Sequence, residues 1–398
     1  MKILIVSLSN RGGGAARAVH NLTTSLHCSN IDFSLILFEG EKVYDSTIKL
    51  LDSRIYNFIF KLKNKLVNVF LSFFRNPTGD FRSINIFPSL LLNCINKSDA
   101  DIVHLHWIGA EMISLKQIGM INKPIVWTLH DGWIFNGAEH IIPNEFKPYI
   151  NLSPNWMIDK FIRFRKKKFL ADKPIIFTTP SRWLNDQYEL SYFNKAISSC
   201  RVIPNLINKK EWIGIDKSKA KNKFELPLDK KCILFGANNA DTSINKGFSF
   251  FKFLLDQLPT EEYCFLVVGN KYEIKSPEND IVCIGQVTTI ERMIEAYSAA
   301  DICLIPSLSE NLPYVAIESI LCKTPVLAFN TGGMKDVIKH KVNGYLVEKY
   351  DKDDLICGVK YLVAQKFEYD ISKTLESYDE SKVLTQYIDL YEEIIQSK

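Results

Sequence analysis

A chain of 398 residues is too long for one ordinary hydrophobic core and fits two domains of about 150–200 residues each. Its composition, 46% hydrophobic and 24% charged, is that of a soluble globular protein with material for two cores. A net charge of +4 is too mild to demand a nucleic-acid partner, and nine scattered cysteines without a C-x-x-C pair indicate a reducing, cytoplasmic setting with neither a disulfide framework nor a zinc site.

The N-terminal run MKILIVSLSN reads as a first β-strand, too short for a signal-peptide core plus cleavage site. SNRGGGAARAVHN follows, where Gly12, Gly13 and Gly14 let the backbone turn sharply into a helix and approach a ligand. A dinucleotide G-x-G-x-x-G pattern fails there because Arg17 takes the last glycine's place, which argues against a nicotinamide enzyme. After the strand FSLILF comes RIYNFIFKLKNKLVNVFLSFFR, residues 54–75, which mixes Arg54, Lys61, Lys63, Lys65 and Arg75 with aromatic and aliphatic residues and has no acid. A second basic stretch lies at 160–168, with Arg163, Arg165, Lys166, Lys167 and Lys168. Basic amphipathic segments of this kind dock on anionic membrane surfaces, or pack on a core and solvate their charge. No run reaches the roughly 18 apolar residues of a membrane span.

The strand DIVHLHW puts His104 and His106 on one face, with Trp107 at its end; they read as satisfied core or rim histidines and not as a metal pair. PIVWTLH ends in His130, and Asp131, Trp133 and Phe135 crowd the loop after it. Aromatics among short polar groups suit a sugar ring; a packed loop explains them equally well. PIIFTTP and CRVIPN complete the first half, and the rhythm of strands pauses at IPNLINKKEW.

The second half repeats the alternation with KCILFGA, YCFLVVG, IVCIG, DICLIPS and PVLAFN. In FGANNADTSINKGF, Lys246 precedes Gly247 and an amphipathic helix, an arrangement that suits an anionic ligand, or equally a solvated surface lysine. In SENLPYVAIES, Pro313 starts a helix, which leaves Glu310 in the loop before it and Glu318 inside it. Ionised carboxylates accept two hydrogen bonds from a vicinal diol, so two of them along one ligand suit a ribose and a hexose. Gly332 and Gly333 follow on the next strand as amides for the phosphates between the rings. The D-x-D pairs Asp99/Asp101 and Asp351/Asp353 read as turn and capping carboxylates, so no metal is expected.

On these residues the chain resembles the retaining glycosyltransferases of family four, with the GT-B fold, along nearly its whole length. RGGGAARAVHNL, DIVHLHW, TLHDGWIFNG, TPSRWL, VIPN, the Lys246–Gly247 pair, SENLPYVAIES and PVLAFNTGGMKDVI with NGYLV carry the resemblance. The combination looks most like the branch that builds bacterial surface polysaccharides such as capsule and O-antigen. The resemblance implies an α/β architecture of two Rossmann-like domains facing a cleft: 1–207 on the acceptor side, 208–380 binding a nucleotide sugar, and a C-terminal helix, 381–398, crossing back to the first. It implies that Glu310 contacts the donor hexose together with Asn311, Leu312 and Pro313, that Glu318 holds the ribose, and that Lys246 neutralises the diphosphate. His130 would touch the sugar near its reacting carbon, Gly13 and Gly14 would approach the donor, and Val287 would frame the base. His106, Trp107, Asp131 and Trp133 would face the acceptor.

One departure is visible: GANNADTSIN lacks the arginine such relatives carry before the lysine, leaving Asn238 or Asn239 to supply hydrogen bonds. The expected reaction moves a hexose from a UDP- or GDP-linked donor to a lipid-linked oligosaccharide with retention of configuration. No cofactor beyond that co-substrate and no nucleic acid are expected, and the protein would sit peripherally on the inner face of the cell membrane. An epimerase or hydrolase on the same plan would need an acid–base pair in the cleft, and a non-catalytic sugar binder would lose the donor carboxylates, which are both intact.

Overall fold

The computed structural model describes residues 1–74, 76, 79–141, 156–237, 243–269, 280–365 and 374–397. Asn238, Asn239 and Arg75 lie outside them. The described residues divide into two compact units: the first holds 1–141 and 156–207 and takes up the chain again at Ser377, and the second lies within Asn208–Glu376. The return thus begins a few residues earlier than a boundary at 380 would place it.

In the first unit, β1 (Ile3–Ser7), β2 (Phe33–Leu37), β3 (Thr47–Lys49), β4 (Ile102–Leu105), β5 (Ile125–Thr128), β6 (Ile175–Thr179) and β7 (Ser199–Val202) form one parallel sheet, ordered β3-β2-β1-β4-β5-β6-β7. The sheet is covered on both faces, so the central strands β1, β4 and β5 are buried at almost every position and alternation decides which core a residue joins. Leu4 and Val6 enter one core with residues of α2 (Arg54–Ser72), α3 (Leu91–Lys97), α4 (Leu115–Gly119), α5 (Trp156–Leu170) and α6 (Arg182–Glu189). Ile3 and Ile5 enter the other, with α1 (Gly13–Cys28) and the C-terminal helix.

In the second unit, β8 (Lys231–Ala237), β9 (Tyr263–Gly269), β10 (Asp280–Gly285), β11 (Ile302–Ile305), β12 (Val326–Phe329) and β13 (Gly344–Val347) form a parallel sheet ordered β10-β9-β8-β11-β12-β13. Its helices are α7 (Lys217–Asn222), α8 (Phe248–Gln257), α9 (Ile290–Ala299), α10 (Tyr314–Leu321), α11 (Met334–Val337) and α12 (Lys352–Ala364). The last helix, α13 (Glu380–Gln396), belongs to the first unit, where it buries Val383, Tyr387, Leu390, Tyr391 and Ile394. Each such side chain contributes about 1.5–3 kcal/mol of burial.

The sequence reading did not anticipate β3, whose three residues carry no pattern of their own. The D-x-D carboxylates act locally: Asp351 caps α12 by accepting from the N–H groups of Asp353 and Asp354, while Asp101 accepts from the N–H of Lys2 and Asp99 pairs with its ammonium group.

Candidate functional site

Open parallel sheets bind ligands beyond the carboxyl ends of their strands, where the strand order reverses. In the second unit that point lies between β8 and β11. The two loops there are stitched together: Asn245 donates from its side chain to the carbonyl of Ser309 at 2.9 Å and accepts from its N–H at 2.8 Å, and Leu308 N–H donates to the Asn245 carbonyl. Asn245 was not singled out in the sequence, since nothing local separates a clamp from a polar turn residue.

Two glycines make the close approach possible. Gly247 has φ +66°, and a Cβ there would lie 1.9 Å from the carbonyl oxygen of Pro306. Gly332, at φ +55°, would meet the carbonyl oxygen of Glu310 at 2.0 Å. Gly333 N–H then donates to that same carbonyl at 2.9 Å.

The outcome is that Lys246 Nζ stands 2.6 Å from Glu310 Oε1, both half-buried. Pro313 is the N-cap of α10, Glu310 lies in the loop before it, and Glu318 lies inside the helix. Glu318 is 1% exposed, and its Oε2 accepts from the Tyr297 hydroxyl at 2.9 Å. Tyr297, fully buried on α9, is a residue the sequence reading missed. Asn311 is half-buried, and Leu312 and Pro313 are buried beside the pair. Val287 sits in the loop after the edge strand β10.

In the first unit the order reverses between β1 and β4. Gly13 opens α1 there, and a Cβ at Gly12, Gly13 or Gly14 would meet nothing within 4 Å. His104 is buried between Thr128 Oγ1 and the Tyr391 hydroxyl, each at 2.7 Å. His106 Nδ1 lies 3.0 Å from His130 Nε2, and its own Nε2 is buried with no hydrogen-bond partner among the described residues. An unpaired lone pair is easier to bury than an unpaired N–H, so His106 carries its proton on Nδ1 and donates to His130. His130 then holds its proton on Nδ1. Burial lowers the pKa of His104 to about 3 and of His130 to about 4, and pushes that of His106 well below its ordinary value, so all three are neutral at pH 7.

Asp131 organises the rest. Its Oδ2 accepts from Trp107 Nε1 at 2.8 Å and pairs with His140 Nδ1 at 2.7 Å, while Oδ1 accepts from Trp133 N–H. Burial pushes its carboxyl upward, but His140 and these N–H donors outweigh that and hold it below the usual carboxylate range. His140 Nε2 reaches Ser83 Oγ at 2.8 Å, and the Trp133 indole donates to the Ser83 carbonyl. The expected acceptor-side set therefore needs correction. Trp133 is 4% exposed and belongs to the core, and His106 is buried behind His130. Trp107, His130 and Asp131 stay half-buried.

In the basic stretch 160–168, Lys160, Arg163, Lys167 and Lys168 are exposed and Arg165 is half-buried, and Lys166 departs from that pattern. Lys166 is 2% exposed; its ammonium donates to the carbonyls of Trp133, Asn136 and Gly137 and lies 4.2 Å from the centre of the Trp133 ring. It holds the loop after β5 and does not face solvent.

Two parallel Rossmann-like sheets, the second with a cation–carboxylate pair at its switch point, define an α/β protein of the GT-B class. Residues 12–211 match the model of Glycosyltransferase Family 4, and residues 216–380 match that of Glycosyl transferases group 1. The first match spans half of the chain, and the chain belongs to Glycosyltransferase Family 4. A D-inositol 3-phosphate glycosyltransferase of Nocardiopsis dassonvillei is 37% identical over 86 residues, 22% of this chain and 20% of that protein, so the match spans about a fifth of that curated relative. Among solved structures, sucrose-phosphate synthase from Thermosynechococcus elongatus has a TM-score of 0.67 at 18% identity, covering 100% of both chains. Anabaena HepE in complex with UDP-glucose has a TM-score of 0.63 at 15% identity, covering 99% of this chain and 100% of its own. Both likenesses are likenesses of fold.

Proposed function

We propose that the protein is a retaining, metal-independent glycosyltransferase that moves a hexose from a nucleoside-diphosphate sugar to a lipid-linked saccharide in the assembly of a bacterial surface polysaccharide, at the inner face of the membrane. The observation that carries this reading is the Lys246–Glu310 pair at 2.6 Å, clamped at the switch point by Asn245 and Gly332, with Glu318 in the helix that follows. A half-buried ammonium group beside a carboxylate offers a diphosphate a cation and a sugar an acceptor in one place. UDP-glucose, which the fold relative HepE binds, is the first donor to try.

In the proposed reaction the bond from the anomeric carbon to the diphosphate oxygen breaks as the acceptor oxygen bonds to that carbon on the same face. The hydroxyl proton passes to the departing phosphate oxygen. Lys246 stabilises the charge that develops on the leaving group. Glu310 orients the hexose and Glu318 the ribose.

The test is thermal stabilisation by UDP, GDP, UDP-glucose and GDP-mannose, each with magnesium and with EDTA. A shift with one nucleotide sugar that survives EDTA is the expected result, and no shift with any of them counts against the reading. Lys246→Ala should weaken nucleoside-diphosphate binding by roughly 10–100-fold, the loss of a charge-assisted contact. Glu310→Gln should keep the bare nucleotide and lose turnover. Equal losses of the bare nucleotide in both variants would break the assignment of roles.

A further inference from the structure

Helix α2 is exposed along far more of its surface than a helix with one core-facing stripe requires. Tyr56, Phe60, Val67 and Leu71 form the buried stripe. A second apolar stripe, with Ile55, Phe58, Leu62, Leu66 and Phe70, faces solvent, with Phe58 68% exposed. The third face is polar and basic and carries Lys61, Asn64, Lys65, Asn68 and Ser72. This third face lines a groove of about 810 Å³ whose opposite wall includes Leu8, Phe81 and Trp107. Val69 belongs to both the groove and the outer apolar stripe, so the two surfaces are continuous.

The inner end of the groove is rigid. The Trp107 ring has Phe81 at 5.6 Å and His140 stacked at 5.2 Å, and its N–H is fixed by Asp131. Lys61 and Lys65 are the cations of the lining and Glu39 is its one acid, while residues 54–72 contain no acid at all. A groove with hydrogen-bonding side chains, two ammonium groups and an aromatic end wall, opening onto an exposed apolar stripe, matches an amphiphile with a phosphate next to its lipid chain.

We propose that this groove binds the phosphate-bearing head of a membrane-resident lipid and leads it from the outer stripe of α2 toward Trp107. The proposal rests on the transferase reading above and names the acceptor's anchoring site within it. Lys61 and Lys65 bind the phosphate, Asn64 and Asn68 bind polar groups beside it, and the outer stripe of α2 enters the bilayer.

The experiment measures binding of the full chain, without donor, to n-dodecyl phosphate below its micellar concentration, to inorganic phosphate, and to phosphatidylcholine vesicles with and without phosphatidylglycerol. Dodecyl phosphate should bind where inorganic phosphate does not. Lys61→Glu with Lys65→Glu should weaken it about tenfold or more. Asn68→Trp, which fills the groove without touching charge, should weaken it as well. Phe58→Ser with Leu66→Ser should release the protein from vesicles and leave dodecyl phosphate binding unchanged. Unchanged dodecyl phosphate binding in both groove variants overturns the proposal, and so does a charge reversal that affects vesicles only, since that is plain surface attraction. The nucleotide shift, measured on the same variants, separates the two ideas. If it persists while amphiphile binding is absent, only the groove fails. If it is absent from the unaltered protein, the transferase reading fails.

Discussion

The two switch points share a backbone plan and differ in chemistry. In the second unit the loops beyond β8 and β11 hold a half-buried ion pair, Lys246 with Glu310, tied down by backbone contacts at Gly247 and Gly332. In the first unit, whose order reverses between β1 and β4, the loops beyond β4 and β5 carry neutral His106 paired with His130, and Trp107 donating to Asp131, which His140 links to Ser83. The loops of the second unit present a paired charge, and those of the first present neutral imidazoles and aromatic rings around the ionised Asp131. The lesson is that the parallel sheet fixes where a ligand goes, and the loop residues fix what kind of ligand it is.

The contrast breaks most severely at Gly332. Its Cβ position coincides with the Glu310 carbonyl, so Gly332→Ala should destabilise the second unit by roughly 2–5 kcal/mol through strain and overpacking. Differential scanning calorimetry checks this, and an unchanged transition would mean that the loop relaxes freely. The corresponding weak point of the first unit is Lys166. Lys166→Ala removes the donor for three carbonyls and should cost about 2–4 kcal/mol. Tryptophan fluorescence during urea unfolding reads it, since the loop it holds contains Trp133.

Acid should separate the units further. His104, His106 and His130 are held neutral by burial, with folded pKa values below that of an unfolded histidine, whereas the second unit contains only His340. The stability this represents is present above about pH 6.5 and is lost as pH falls through the folded values near 4 and below, because the unfolded chain takes up protons that the folded one refuses. The loss approaches about 1.4 kcal/mol per pH unit for each histidine. Denaturation midpoints between pH 7 and pH 4 should fall for the first unit before the second, and His104→Gln should flatten the dependence. Parallel decline of both units would refute the assignment. The smallest effect is expected at Tyr297→Phe, which removes one hydrogen bond from Glu318 and should weaken nucleotide binding by about 2–10-fold, an energy of roughly 1 kcal/mol. Isothermal titration with UDP and GDP is sensitive enough to see it.

Much of this site is legible in the sequence because it follows from local rules. Pro313 caps α10, so Glu310 must precede the helix and Glu318 must lie within it. Lys246 beside Gly247 marks an anion-ready turn in the same way. The partners are not legible. Asn245 reaches Ser309 across 64 positions and Tyr297 reaches Glu318 from another helix, contacts that the sheet order creates and no spacing announces. TLHDGWIFNG shows the limit most clearly: a sugar-facing surface and a packed loop explained its aromatics equally well, and the structure buries Trp133 in the core, leaves Phe135 half-buried, and buries Lys166, one of a run of basic residues, under the same loop.

The sequence by itself determined two parallel α/β sheets, because apolar runs of strand length alternating with amphipathic helices bury both sheet faces in no simpler way. It also determined that Lys246, Glu310 and Glu318 follow strand ends. The tertiary structure decided which of three faces of α2 is core, which is groove and which is exposed, and which basic residues reach solvent. Periodicity records that a helix has several faces, but only the neighbours that pack against it determine which of them remain uncovered.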